Sequence, residues 1–296
     1  MITIVMVLAV DRQLRASKEV TTGRAANKLQ KTSVMTGPIV HALNLGFLYV
    51  VFKSIMEYAH KPLVESLSFY GAYHQEPRNQ AIHFVFVPVL LFSFLVYFAH
   101  HDLPFASGLS VAGHRLTYAT VILVTYAGFY LSIDSVGGAL YSIVLLVLYK
   151  AATALVTADR ETAYKGRKKS DYQASPRSGR ALKIAGYLQL LGWYMQLHPG
   201  HAVFEGVKPA LLDGFGQSLS VAPLFAFYEG VWAAGLHTGL HEATQLAVRD
   251  RRKEMCKEEG ATYNFCDQKN FNVRSYKGHG NWAPKHKGMG AYGVHI

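Results

Sequence analysis

Three apolar runs crowded into eighty residues limit this chain more than any other feature of its sequence. Ala81–Ala99 and Leu116–Ile133 carry no full charge, and Ala139–Ala158 is interrupted only by Lys150. Each approaches the ~20 residues a helix needs to cross the hydrocarbon layer of a bilayer. A large soluble core can contain one such helix. Three in succession imply segments that satisfy their own backbone hydrogen bonds in lipid, which for a single segment means helix. His100-His101-Asp102, Pro104 and Gly108 separate the first two runs, and Asp134-Ser135-Val136-Gly137-Gly138 reads as the turn of a helical hairpin between the other two. Tyr118, Tyr126, Tyr130, Tyr141 and Tyr149 supply amphipathic rings suited to headgroup depth. Ala181–Leu197 and Ser218–Leu240 are further candidate spans, the latter carrying Glu229 and His237. Pro38–Met56 contains His41, Asn44, Gly46 and Lys53 and reads as a helix lying in the interface. The expected fold is all-α, a multi-pass transmembrane helical bundle of about four to five spans.

Charge agrees with that class. Only 17% of residues are charged, against roughly 25% in soluble chains, yet the formal net charge is +11. The basic residues cluster beside the apolar runs, which suits anionic lipid headgroups and makes nucleic acid an unneeded partner. Asp159–Arg180 is a basic loop, with seven Lys/Arg against three acids, and marks the cytoplasmic side by the positive-inside rule. Met1–Val10 is apolar without preceding positive charge, hence a non-cleaved start, and Asp11–Lys31 is polar and basic. From Arg249 the chain turns charged and then Gly-, His- and Lys-rich, a composition for disorder, in which His279, His286 and His295 make no metal site. The division expected is an N-terminal extension over residues 1–60, a helical membrane unit over 61–240 and a polar tail over 241–296. Cys256 and Cys266 lack CxxC spacing and imply neither a disulfide framework nor a zinc knuckle.

Two stretches carry chemistry. Between Tyr70 and Pro88, His74 and His83 stand nine residues apart around Pro77 and Asn79. One continuous helix would turn them to opposite faces, since each residue advances about 100°. Pro77 argues against a continuous helix, and a bend there can bring both imidazoles to one point. The second stretch, Trp193–Asp213, places His198 before Pro199-Gly200 and sets His201 four residues from Glu205, on one face if helical. Such a pair is ordinary on a solvated helix. Beside apolar spans an ionisable group is costly and needs a partner.

His74-x4-Asn79-x3-His83 followed by Pro88, then Gly200-His201-x2-Phe204-Glu205 and Pro209-Ala210-Leu211, resemble the two signature blocks of the iron(II)-dependent 2-hydroxy fatty acid dioxygenases. Val221-Ala222-Pro223-Leu224-Phe225 and Glu229 also fit, and the resemblance covers roughly Leu63 to Leu236. It implies a multi-pass protein of the endoplasmic reticulum membrane. The implied reaction removes one carbon oxidatively from a 2-hydroxy fatty acid with O2, the α-oxidation step in phytosphingosine breakdown. The resemblance carries over His74, His83 and His201 as metal-binding histidines. This chain departs from it by having His198-Pro199 where a hydrophobic pair is more usual before Gly-His.

The chemistry is consistent on its own terms. Imidazole suits Fe(II), and a three-His or 2-His-1-carboxylate face leaves coordination positions open. Three protein ligands on a six-coordinate Fe(2+) leave room for both head oxygens of a 2-hydroxy acid and for dioxygen. His198 or Glu205 is then either a fourth ligand or a supporting partner, and Asn79 and Tyr70 are candidate donors that hold an imidazole tautomer. Membrane di-iron hydroxylases and desaturases need more histidines, in HxxHH-type boxes that this chain lacks. The other alternative is a non-catalytic multi-pass membrane organiser or transporter with structural histidines. If four segments from Ala81 to Leu197 all span, both His clusters share one face of the membrane, opposite the basic loop. The positive-inside rule then makes the metal luminal, unless one short segment only dips into the bilayer.

Overall fold

The computed structural model describes residues 25–106, 109–111, 114–164, 179–258 and Cys266. Eight α-helices run through the described residues: α1 (Ala25–Tyr58), α2 (Leu63–Gly71), α3 (Pro77–Ala99), α4 (Tyr118–Ile133), α5 (Ser135–Tyr164), α6 (Arg180–Met195), α7 (Phe215–Ala233) and α8 (Thr238–Glu258). A π-helix, Gln196–Glu205, prolongs α6, and a ribbon of β1 (Ser110–Val111) against β2 (His114–Arg115) lies in the α3–α4 connection. The expectations for residues 1–24, 165–178 and 267–296 lie outside the described residues.

The fold is all-helical, with three candidate spans, Pro38–Tyr58, Pro77–Ala99 and Ser135–Thr162, or four if α7 and α8 count as one broken span. Sequence reading expects four to five, and the differences have physical causes. Pro38–Met56, read as interfacial, is part of a helix long and apolar enough to cross. Its polar Asn44 and Ser54 are buried against the bundle, while Ile39, Leu43, Tyr49, Phe52 and Met56 face outward. Leu116–Ile133 yields only the 16 residues of α4, and Ala181–Leu197 gives a 16-residue α6 that widens into the π-helix. Ser218–Leu240 is no single helix. Left-handed backbone at Gly235 and His237 breaks it, and α8 leaves α7 at 118°.

α3 is the central post, packed against α4, α5, α6, α7 and the π-helix. The five tyrosines expected at headgroup depth are buried instead, none above 4% exposed. They supply hydroxyls to the interior. Pro223 deprives the carbonyl of Leu219, four residues earlier in α7, of its helical donor. The Tyr126 hydroxyl donates to that carbonyl at 2.6 Å, and Tyr130 donates to Ser220 at 2.9 Å. A proline is thus tolerated in an apolar helix because a neighbouring helix satisfies the freed acceptor. The α4–α5 hairpin forms as expected, with Asp134 alone between the helices. Gly138 belongs to the first turn of α5, where any Cβ would overlap the Tyr130 carbonyl, so it serves close packing and not the turn.

At the C-terminal side, the tail expected to begin at 241 is helical to Glu258. The charges of Arg249–Glu254 hide an inward stripe of Thr244, Val248 and Met255, which packs α8 on the bundle. Cys256 and Cys266 form a disulfide, so the expectation of none is corrected. A single bridge needs only two thiols brought close at a helix end, and no repeated spacing announces it.

Candidate metal centre

α2 ends at Gly71, His74 occupies the turn that follows, and Pro77 opens α3 at a first-turn position where its missing N–H costs nothing. The bend expected at Pro77 is present. It sends His83, in the second turn of α3, back toward His74, with ring centroids 4.4 Å apart. His201 arrives from the π-helix, 4.8 Å from His74 and 5.1 Å from His83 by ring centroid. All three side chains are buried, and one ring nitrogen from each lies within 4.8 Å of the others.

Hydrogen bonds determine which nitrogens these are. Nδ1–H of His74 donates to the Tyr70 carbonyl at 3.0 Å, that of His83 to the Asn79 carbonyl at 3.0 Å, and that of His201 to the Val207 carbonyl at 3.2 Å. A carbonyl can only accept, so each Nδ1 carries the proton and each Nε2 keeps its lone pair. Three lone pairs converge in a buried space, and Nε2 of His74 has no hydrogen-bond partner among the described residues. Burial, reinforced by the neighbouring imidazoles, holds His74 well below the ordinary histidine range, and burial lowers His201 to about 4. Neutral imidazoles that cannot bond one another fit a cation, and the all-nitrogen set suits a transition metal such as iron or zinc.

The π-helix explains His201, Glu205 and His198 together. Its wider turn carries the sequence past Pro199 and closes at Gly206, whose left-handed backbone (φ 66°) lets its N–H reach the His201 carbonyl at 2.8 Å. Gly200 packs against the Asn79 side chain so closely that a Cβ would overlap it. Such π segments recur at functional sites. His198 turns away: it is exposed, and its ring stacks on Tyr194 at 5.5 Å. It is not among the three converging histidines.

Glu205 faces the turn beneath the histidines. Its carboxylate accepts the backbone N–H of Gln75 and Glu76, each at 2.9 Å, and the Asn79 side-chain amide at 3.1 Å. Arg252 of α8 stands 3.4 Å from it and donates from Nε to the Ala72 carbonyl at 2.8 Å. The carboxylate therefore occupies the N-terminus of α3, where free N–H groups and the helix dipole favour negative charge. Burial pushes its carboxyl up, while those donors and Arg252 pull the other way. With its oxygens engaged, Glu205 ties the His74–His83 turn to the π-helix and to α8.

Tyr70 and Asn79 orient imidazoles through their main-chain carbonyls, as acceptors, and not through donor side chains as the sequence suggests. The Tyr70 ring also stacks on His74 at 5.5 Å, and burial raises its hydroxyl above the ordinary range. Sequence reasoning misses the Val207 carbonyl, because a main-chain acceptor leaves no mark in residue type. It misses Arg252 too, whose charged run reads as tail. A cavity of about 270 Å³ adjoins His201, lined by Leu197, Ala202, Val207 and Pro209, with Lys208 also in its wall.

A family model described as Mpo1-like 2-hydroxy-palmitic acid dioxygenase matches residues 60–231. The 2-hydroxy-palmitic acid dioxygenase MPO1 of Saccharomyces cerevisiae is 28% identical over 195 residues, which is 65% of this chain and 94% of that protein. No solved structure matches. The matched segment contains all three histidines and Glu205 but ends before Arg252.

Proposed function

Because the chain belongs to the Mpo1-like 2-hydroxy-palmitic acid dioxygenase family, we propose that it is an iron enzyme shortening 2-hydroxy long-chain fatty acids by one carbon. The proposed ligands are His74, His83 and His201, within a catalytic unit of residues 61–240 completed by Arg252. The proposed setting is the endoplasmic reticulum membrane, where sphingoid-base breakdown supplies such acids. The atoms balance with dioxygen as the sole oxidant: the 2-hydroxy acid and O2 yield an acid one carbon shorter, carbon dioxide and water.

One observation carries the reading: three imidazoles, each with Nδ1–H fixed on a backbone carbonyl, present three bare Nε2 atoms to one buried point. Ferrous iron held by these three histidines would supply Lewis-acid and redox chemistry toward a 2-hydroxy acid and O2. The protein's share is orientation. Backbone acceptors hold the tautomers, and Glu205 holds the turn that sets His74 against His83. The cavity beside His201 is at the small end for ligand sites, enough for a polar head and a few methylenes. The rest of the acyl chain would leave the cavity past the outward-facing Leu197 of its wall into lipid.

Purified protein in lipid nanodiscs tests this directly. Elemental analysis is expected to give about one iron per chain, and 2-hydroxypalmitate with O2 to give the acid one carbon shorter. H201A is expected to lose both. Full iron content in H201A, or turnover that survives it, sinks the assignment.

A further inference from the structure

Glu229 is a second buried carboxyl, on the helix whose Phe225 packs against His74, and no described residue accounts for it. It lies on α7 at 5% exposure, and neither of its oxygens has a hydrogen-bond partner among the described residues. A dry carboxyl with both acceptors empty is costly, and native interiors rarely leave one so. Its position is informative. Phe225, one turn earlier on the same face of α7, packs its ring 5.7 Å from His74 and 5.4 Å from Tyr70. Gly230, the next residue, presses on the ring of Phe84, the neighbour of His83. Trp232, one turn further on, buries an indole N–H that also lacks a partner. The face of α7 that packs Phe225 on His74 thus also carries, among the described residues, two empty acceptors and an unused donor.

We propose that Glu229 accepts a hydrogen bond from the 2-hydroxyl of the bound substrate, and so makes the protein select 2-hydroxy acids over unsubstituted ones. This rests on the substrate class argued above. The hydroxyl hydrogen goes to a Glu229 oxygen, which would leave the hydroxyl oxygen's lone pairs free for a cation held by the three histidines. An acid without the hydroxyl would leave the buried carboxyl unpaired. Sites built around a substrate hydroxyl reject the analogue lacking it far more strongly than apolar pockets sort one methylene from none. Selectivity therefore resides in the protein wall as well as in the metal.

The test is displacement of a fluorescent fatty acid from the full chain in nanodiscs, metal-free and iron-loaded, by 2-hydroxypalmitate and by palmitate. Metal-free wild type is expected to prefer the 2-hydroxy acid by about a hundredfold, below the ceiling such sites reach. E229L is expected to bring the two within about threefold by weakening the 2-hydroxy acid alone, and E229Q, which keeps an acceptor oxygen, to fall between. Infrared difference spectra supply a readout that a packing role would not move. The wild-type carboxyl band should shift with 2-hydroxypalmitate but not with palmitate, and the shift should vanish in E229Q. If E229L does not fold, E229Q and its spectra decide. A preference that survives in E229L, or a shift unchanged in E229Q, overturns the role of Glu229 while leaving an iron-loaded, active enzyme intact. A wild type with no preference overturns it as well, and one that also lacks turnover removes the substrate reading with it.

Discussion

At the N-terminal end of α3, His83 donates its Nδ1–H to the carbonyl of Asn79, four residues back; at the C-terminal end, His100 does the same to Val96 at 2.8 Å. Both side chains are buried, and in both Nε2 is the nitrogen turned away from the helix's own carbonyls. What faces that nitrogen separates them. Nε2 of His83 meets two more imidazoles and, among the described residues, no carboxylate joins them. Nε2 of His100 lies 4.0 Å from the Asp159 carboxylate, which also accepts the Ala181 N–H at 3.2 Å. Arg160 donates to the carbonyls of Ala99 and His100, which end α3, and Asp102 pairs with Arg115. One end carries lone pairs that ask for a cation. At the other, acid and base are matched in a knot joining α3, α5 and α6. A buried histidine in an apolar helix is therefore not diagnostic by itself; the group opposite its second nitrogen is.

The comparison breaks most sharply if the two ends exchange their phenotypes. H74L and H83L should each lose iron and at least about a thousandfold in turnover, because two remaining imidazoles neither hold the ion nor orient it. H100L should keep its iron and its turnover per folded molecule. Its cost is stability, about 3 kcal/mol, since it leaves Asp159 buried without its partner. Elemental analysis beside thermal unfolding in the same nanodiscs separates the outcomes. Iron loss in H100L would show that the far knot transmits to the metal and is no mere fastening.

Sharpening the contrast within the metal end is the next largest effect. Glu205 bonds the turn and not the rings, so E205Q should leave the histidines in place while loosening their support. The expected result is a 10- to 100-fold loss of iron affinity, the usual scale for partners one step behind the ligands. R252M should fall in the same direction and less far, since Arg252 reaches Glu205 at 3.4 Å while two backbone N–H groups remain. Titration of iron against a competing chelator reads both. Loss of all iron in E205Q would make Glu205 itself a ligand.

How much of this was legible beforehand follows from what each feature depends on. The apolar runs and the bend at Pro77 are local properties, so α3 and the meeting of His74 with His83 are readable from residue type. The third histidine is readable only through family resemblance, since nothing between residues 83 and 201 fixes their approach. The tyrosines mislead because an amphipathic ring suits a headgroup and a proline-freed carbonyl equally well, and only packing against α7 decides. Arg252 and the Cys256–Cys266 bridge are lost for the opposite reason, hydrophilic sequence around a short buried stripe. Glu205 looks like the helical partner of His201, but the π-helix assigns it to the α3 N-terminus instead.

The smallest expected effect tests that last point. His198 and His201 are three residues apart, and only one faces the centre. His198 is exposed and stacked on Tyr194, in contact with neither of the other histidines. H198A should therefore leave iron stoichiometry unchanged and turnover within about twofold, with a stability change inside the ±0.5 kcal/mol typical of surface positions. H201A, by contrast, removes both metal and activity. The pair makes a stringent control because sequence alone ranks the two nearly alike, each next to Pro199-Gly200. A measurable drop in iron for H198A would mean that the π-helix rewinds when metal binds, bringing His198 inward as a fourth ligand and leaving fewer positions for substrate and dioxygen.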